Sequence, residues 1–94
     1  MPPRADAATV ARPHGARTAA EVRRALTAKF HAAGLDSPGL DSRILIGHAL
    51  GLDHAALAAA ATRRLGADEE NAIAALARRR LTGEPVARIL GYKE

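Results

Sequence analysis

Cysteine is absent from this 94-residue chain, so neither a disulfide framework nor a thiolate metal site is open to it. A reducing compartment follows as the default, and a cytosolic protein is expected. Tryptophan is absent too, and Phe30 and Tyr92 are the only aromatic residues. The β-branched and aromatic residues that a sheet needs are few, whereas alanine, leucine and arginine, all strong helix formers, are abundant. Composition alone therefore predicts an all-α fold. Long apolar runs are missing: the longest, Ala55 to Ala61, is far short of the ~20 residues of a membrane span, and no apolar segment follows the basic start as a signal peptide requires. Asp6 and the lack of serine in the leader argue against a transit peptide. No membrane partner is expected.

The residues that carry chemistry are equally sparse. Ser37 and Ser42 are the only serines, no nucleophile-elbow pattern surrounds them, and no cysteine can replace them. His14, His31, His48 and His54 never fall three or four residues apart on one helix, so no metal site is announced. The glycines follow helical segments as stop signals, not strands as a phosphate-cradling loop would. Asp36, Asp53, Asp68, Glu69 and Glu70 all sit at expected helix starts, where capping explains them. No catalytic, cofactor-binding or metal-binding residue is assigned.

Positive charge raises the question of nucleic acid, since the formal net charge is +4 and the pI is about 10.7. Residues 1–17 carry Arg4, Arg12 and Arg17 against Asp6, and the remaining eleven bases face nine acids. The folded part is thus close to balanced, and nucleic acid is disfavoured as a partner.

What the chain does contain is helix punctuation. Residues 1–17 hold Pro2, Pro3, Pro13 and Gly15 without sustained periodicity, and are expected to form a disordered leader. Thr18 and Glu21 form a capping-box pattern that opens a helix over about 19–33, with Val22, Leu26, Phe30 and Ala33 inward and Gly34 as its stop. Ser37 and Pro38 open a second helix, closed by Gly51, with Leu40, Ile44, Leu45 and His48 as its expected inner face. Asp53 caps a third, running to about Arg64 and anchored by Leu57. Asp68, Glu69 and Glu70 at one end and Arg78, Arg79 and Arg80 at the other complement the dipole of a fourth, which Gly83 stops. Pro85 pre-sets a short fifth helix through Val86, Ile89 and Leu90 to Gly91. The expected fold is a small bundle of about five short helices. Its core is thin: nineteen larger apolar side chains lie between Thr18 and Glu94, and 24 residues of the chain are alanine. Stability on the order of 3–5 kcal/mol is expected of so small a core.

Two charges fall within apolar stripes. Asp41 lies among Leu40, Ile44, Leu45 and His48, and Arg80 follows Ile73, Leu76 and Ala77. An unpaired buried charge costs several kcal/mol, so the pattern predicts an ion pair between the second and fourth helices, a structural clamp before a functional one.

The order of these signals resembles a known family. Ala33-Gly34-Leu35-Asp36-Ser37-Pro38-Gly39-Leu40-Asp41 with His48-Ala49-Leu50-Gly51, followed by Arg79-Arg80-Leu81-Thr82-Gly83-Glu84-Pro85, is similar to the N-terminal domain of the release-factor glutamine methyltransferases, the HemK and PrmC family. The resemblance covers about residues 20–94. It implies a helical domain joined by a hairpin linker to a Rossmann-like domain, which binds S-adenosylmethionine and methylates the glutamine of a release factor's Gly-Gly-Gln loop. That family's Asn-Pro-Pro-Tyr motif lies in the second domain and has no counterpart here, nor has its cofactor loop. Asp41, His48, Arg80, Gly83, Glu84 and Pro85 match the pattern of the first domain.

The expected organisation is thus a leader at 1–17, a helical domain at 18–91, and at 92–94 the start of a linker to an absent catalytic domain, as in an excised or truncated domain. The chain itself is expected to hold no cofactor and to be no enzyme. Its expected role is to recognise and position a release factor beside its own catalytic domain, with Arg63, Arg64, Arg78 and Arg79 as candidate partner contacts. The rivals are a helix-turn-helix-like nucleic-acid binder using the same arginines, and a purely structural support domain.

Overall fold

The capping box predicted at Thr18 is formed: the Glu21 amide donates to Thr18 Oγ1 at 3.1 Å and the Thr18 amide donates to Glu21 Oε1 at 2.8 Å. It opens α1 (Ala19–Ala32), the first of five helices in the computed structural model, which describes residues 17–91. The expected leader, Arg17 apart, and the expected linker start at 92–94 lie outside the described residues. Next come α2 (Pro38–Leu50), α3 (His54–Ala59), α4 (Ala67–Leu81) and α5 (Val86–Leu90). Among the described residues there is no strand, only one antiparallel bridge between Thr18 and Arg64. Among the described residues no helix is long and apolar enough to cross a membrane.

α2 is the centre of the bundle, with α1 against one side and α4 and α5 against another. Phe30, Leu45, Ile46 and Leu65 are its most deeply buried apolar side chains, joined by Val22, Leu26, Leu57, Ile73 and Ile89. The expected inner face of α2 needs correction. Asp41, Ser42, Leu45, Ile46 and Gly47 are buried, whereas Leu40 is 46% exposed, His48 is exposed and Ile44 is half-buried. The buried arc is turned by roughly a third of a helical turn from the one read off the apolar residues, at 100° per residue. Two polar contacts explain the turn: Ser42 Oγ lies 2.6 Å from Thr27 Oγ1 of α1, and Asp41 meets Arg80 of α4. Hydrogen-bonded polar groups can be buried where unpaired ones cannot. Ser42 is accordingly a packing residue.

The third helix also ends earlier than expected, at Ala59 instead of near Arg64. The first amides of α1 have no partners within their own helix. Ala20 donates to the Ala61 carbonyl and Ala19 to the Arg63 carbonyl, each at 2.9 Å, while the Leu65 amide donates to the Arg17 carbonyl at 2.9 Å. The segment after α3 therefore leaves the helix to satisfy α1, and Arg17, counted with the leader in the sequence reading, is held in the fold.

Not every glycine is a stop. Gly34, Gly51, Gly83 and Gly91 have positive φ at helix ends, but Gly39 and Gly47 lie inside α2 and Gly66 precedes α4. Gly47 is there for space: the Leu52 amide donates to the Gly47 carbonyl and closes the α2–α3 turn, which brings the Leu52 carbonyl oxygen within 2.8 Å of where a Cβ on Gly47 would lie.

Candidate partner-binding surface

The structure brings Asp41 and Arg80 together across α2 and α4. Arg80 Nε donates to Asp41 Oδ2 at 3.0 Å, and the two side chains are only 19% and 11% exposed. Arg80 Nη1 also reaches the Glu84 carbonyl oxygen at 3.4 Å. Its neighbour Arg79 grips the Glu84 carboxylate with two nitrogens, at 2.9 and 2.5 Å. The Arg79 guanidinium holds that carboxyl below its usual range. Gly83, at φ +101°, permits the turn between them, and Pro85 caps α5. Asp41, Arg80, Gly83, Glu84 and Pro85 thus form one clamp that fixes the end of α4 and the start of α5 to α2. His48 stands apart from it, exposed in the last turn of α2.

The four candidate contact arginines are not brought together. Arg63 and Arg64 precede α4, whereas Arg78 and Arg79 are in its last turn, about 20 Å away at 1.5 Å of rise per residue. Arg63 is paired with Glu69, whose carboxylate also accepts from the Gly66 amide at 2.9 Å. Those two contacts, the backbone one foremost, hold the Glu69 carboxyl below its usual range. Arg64 is engaged as well and lies near Glu21. All four are exposed, and of them Arg78 is the one whose side chain has no hydrogen-bond or ion-pair partner among the described residues.

Arg78 borders a groove of about 360 Å³ between α1 and α4. Its floor is Val22, Leu26, Ile73 and Ala77, and Ala25, Ala74 and Leu81 form its lips. Among the described residues, Leu81 and Leu40 are the two large apolar side chains left exposed. Lys29 and Arg78 stand at the end where both helices terminate. At the other end the Arg17 guanidinium holds Glu70 Oε1 at 2.5 and 3.1 Å, while Glu70 Oε2 is buried without a partner among the described residues. The sequence reading missed this groove. Its signal was the alternation of alanine with larger apolar residues on two helices, legible only once those helices are known to lie side by side.

A second cleft joins α2, α3 and α5 and is bordered by Arg43, His48, Asp53 and His54. It holds no group of three or more potential metal ligands, and no such group occurs among the described residues.

Comparison with known proteins identifies the domain. Residues 21–91 match the family described as the PrmC N-terminal domain. The chain belongs to that family. A release factor glutamine methyltransferase of Bradyrhizobium diazoefficiens is 47% identical over 85 residues, which is 90% of this chain and 29% of that protein. One from Rhodospirillum rubrum is 42% identical over 65 residues, 69% of this chain and 20% of its own length. A bifunctional methyltransferase of Rickettsia bellii is 38% identical over 66 residues, 70% of this chain and 12% of its own. The PrmC N-terminal domain described here thus spans less than a third of these curated relatives. No solved structure matches it. The clamp from Arg79 to Pro85 and the buried Asp41 fall within the matched residues, so the motif that carried the resemblance is the one that holds this domain's helices together.

Proposed function

We propose that this PrmC N-terminal domain recognises and positions a peptide chain release factor for glutamine methylation in the cytoplasm. The methyl transfer and the S-adenosylmethionine site belong, on this reading, to a separate catalytic domain reached through a linker that begins at residues 92–94. The observation that carries the reading is the match over residues 21–91 to a domain whose relatives are named release factor glutamine methyltransferases. The geometry supports it in a second way. Of the family-pattern residues, all but His48 are occupied in the internal clamp, and the α1–α4 groove offers a concave, partly apolar surface with which to meet another protein.

The nucleic-acid reading loses support from the same geometry, because Arg63 and Arg79 already hold glutamates and are poor phosphate contacts. Titration of the isotope-labelled chain with a release factor is expected to give specific amide shifts in the high micromolar range, since interfaces below ~1,200 Å² are typically transient. Titration with S-adenosylmethionine is expected to give none. Shifts with the cofactor and none with the release factor would overturn the assignment, and no response to either would favour a purely supporting role.

A further inference from the structure

We propose that the α1–α4 groove is the docking site for an acidic amphipathic helix of the partner protein. The inference deepens the proposed function and rests on it only for who the partner is. Its chemistry is read from the groove. The floor residues Val22, Leu26, Ile73 and Ala77 are each less than 8% exposed, so they offer an apolar surface that is sunk, not protruding. A sunken floor receives anchoring side chains and cannot insert into a bilayer. About 360 Å³ accepts a few anchors, as when a helix lays its i, i+3, i+4 and i+7 side chains into a groove. The small side chains of Ala25 and Ala74 on the lips allow the close approach this needs.

The rim selects the charge. Lys29 and Arg78 have no acidic partner among the described residues, while Arg17 and Glu70 neutralise each other. The open end of the groove is therefore positive, and carboxylates flanking the partner's apolar stripe would complete it. The same charges disfavour the other occupants. A second copy would set like rims face to face in a symmetric contact. The chain's own residues 1–16 carry Arg4 and Arg12 against Asp6, a net positive charge that this rim repels.

Two helical peptides with identical leucine spacing, one bearing glutamate and the other lysine at its polar positions, test the proposal by amide-shift titration of the full chain. The glutamate peptide is expected to move the amides of Val22, Ala25, Ile73 and Ala74, and the lysine peptide to bind at least about tenfold more weakly. Lys29→Glu with Arg78→Glu should invert that preference. Ala74→Arg, on an exposed lip, should block the groove while leaving the spectrum folded. Equal affinity for both peptides, binding of neither, or shifts away from the groove would overturn it. So would groove shifts that depend on chain concentration or vanish when residues 1–16 are removed, since the occupant would then be a second copy or the chain itself. A release factor that binds Ala74→Arg as well as the unaltered chain would remove the groove proposal and leave the proposed function standing.

Discussion

Asp41 and Arg80 form a pair through which this fold is sensitive to single polar changes. Their side chains are mostly withdrawn from water, so removing one strands the other in a medium that solvates it poorly. Asp41→Asn and Arg80→Met are each expected to cost about 3 kcal/mol in urea denaturation, and to show clear coupling in a double-mutant cycle. Additive effects would mean that the two charges are solvated independently. Gly39 and Gly47 make a second, opposed pair within one helix. Gly39 has nothing within 4 Å of a built Cβ, so Gly39→Ala should gain the roughly 0.5–1 kcal/mol of ordinary glycine replacement in a helix. Gly47→Ala would press a methyl against the Leu52 backbone and should cost about 1–3 kcal/mol by overpacking. Thermal melts that rank the two variants the other way would contradict this account of the α2–α3 turn.

Helix ends, more than helix interiors, carry the pH dependence. Glu21, Glu69 and Glu84 all have carboxyls held below their ordinary range. The Thr18 amide does this foremost for Glu21, the Gly66 amide for Glu69, and the Arg79 guanidinium for Glu84. A carboxyl with a lower pKa in the folded state than in the unfolded one favours folding above the unfolded value, about 4.3 for glutamate, and loses that contribution as pH falls through the folded value. Stability is therefore expected to be level from neutral pH to about 5 and to decline below about 4.3. Arg17 and Arg79 are shifted upward by Glu70 and Glu84 and stay charged throughout, so they add no slope of their own in this range. Denaturation midpoints followed from pH 7 to 3 check this, and a midpoint that rises on acidification would show that other groups dominate.

The whole domain shows where local signals suffice. Thr18 with Glu21, Asp53, and the glycines at 34, 51, 83 and 91 fix five helices, because each acts on backbone groups within four residues of itself. The all-α class, the helix starts and the family-bearing motifs are therefore written in the chain. Which face of α2 turns inward is not, because that helix is apolar on nearly every side and its orientation is decided by Thr27 and Arg80, which lie on other helices. The early end of α3 is likewise imposed from outside, by the unpaired amides of Ala19 and Ala20. The α1–α4 groove exists only once two alanine-bearing helices lie side by side. Sequence by itself determined the elements and their order, since hydrogen bonding and capping are short-ranged. Tertiary structure alone decided which face of α2 is buried, where α3 ends and the exposed groove, since these depend on packing contacts between residues that are distant along the chain.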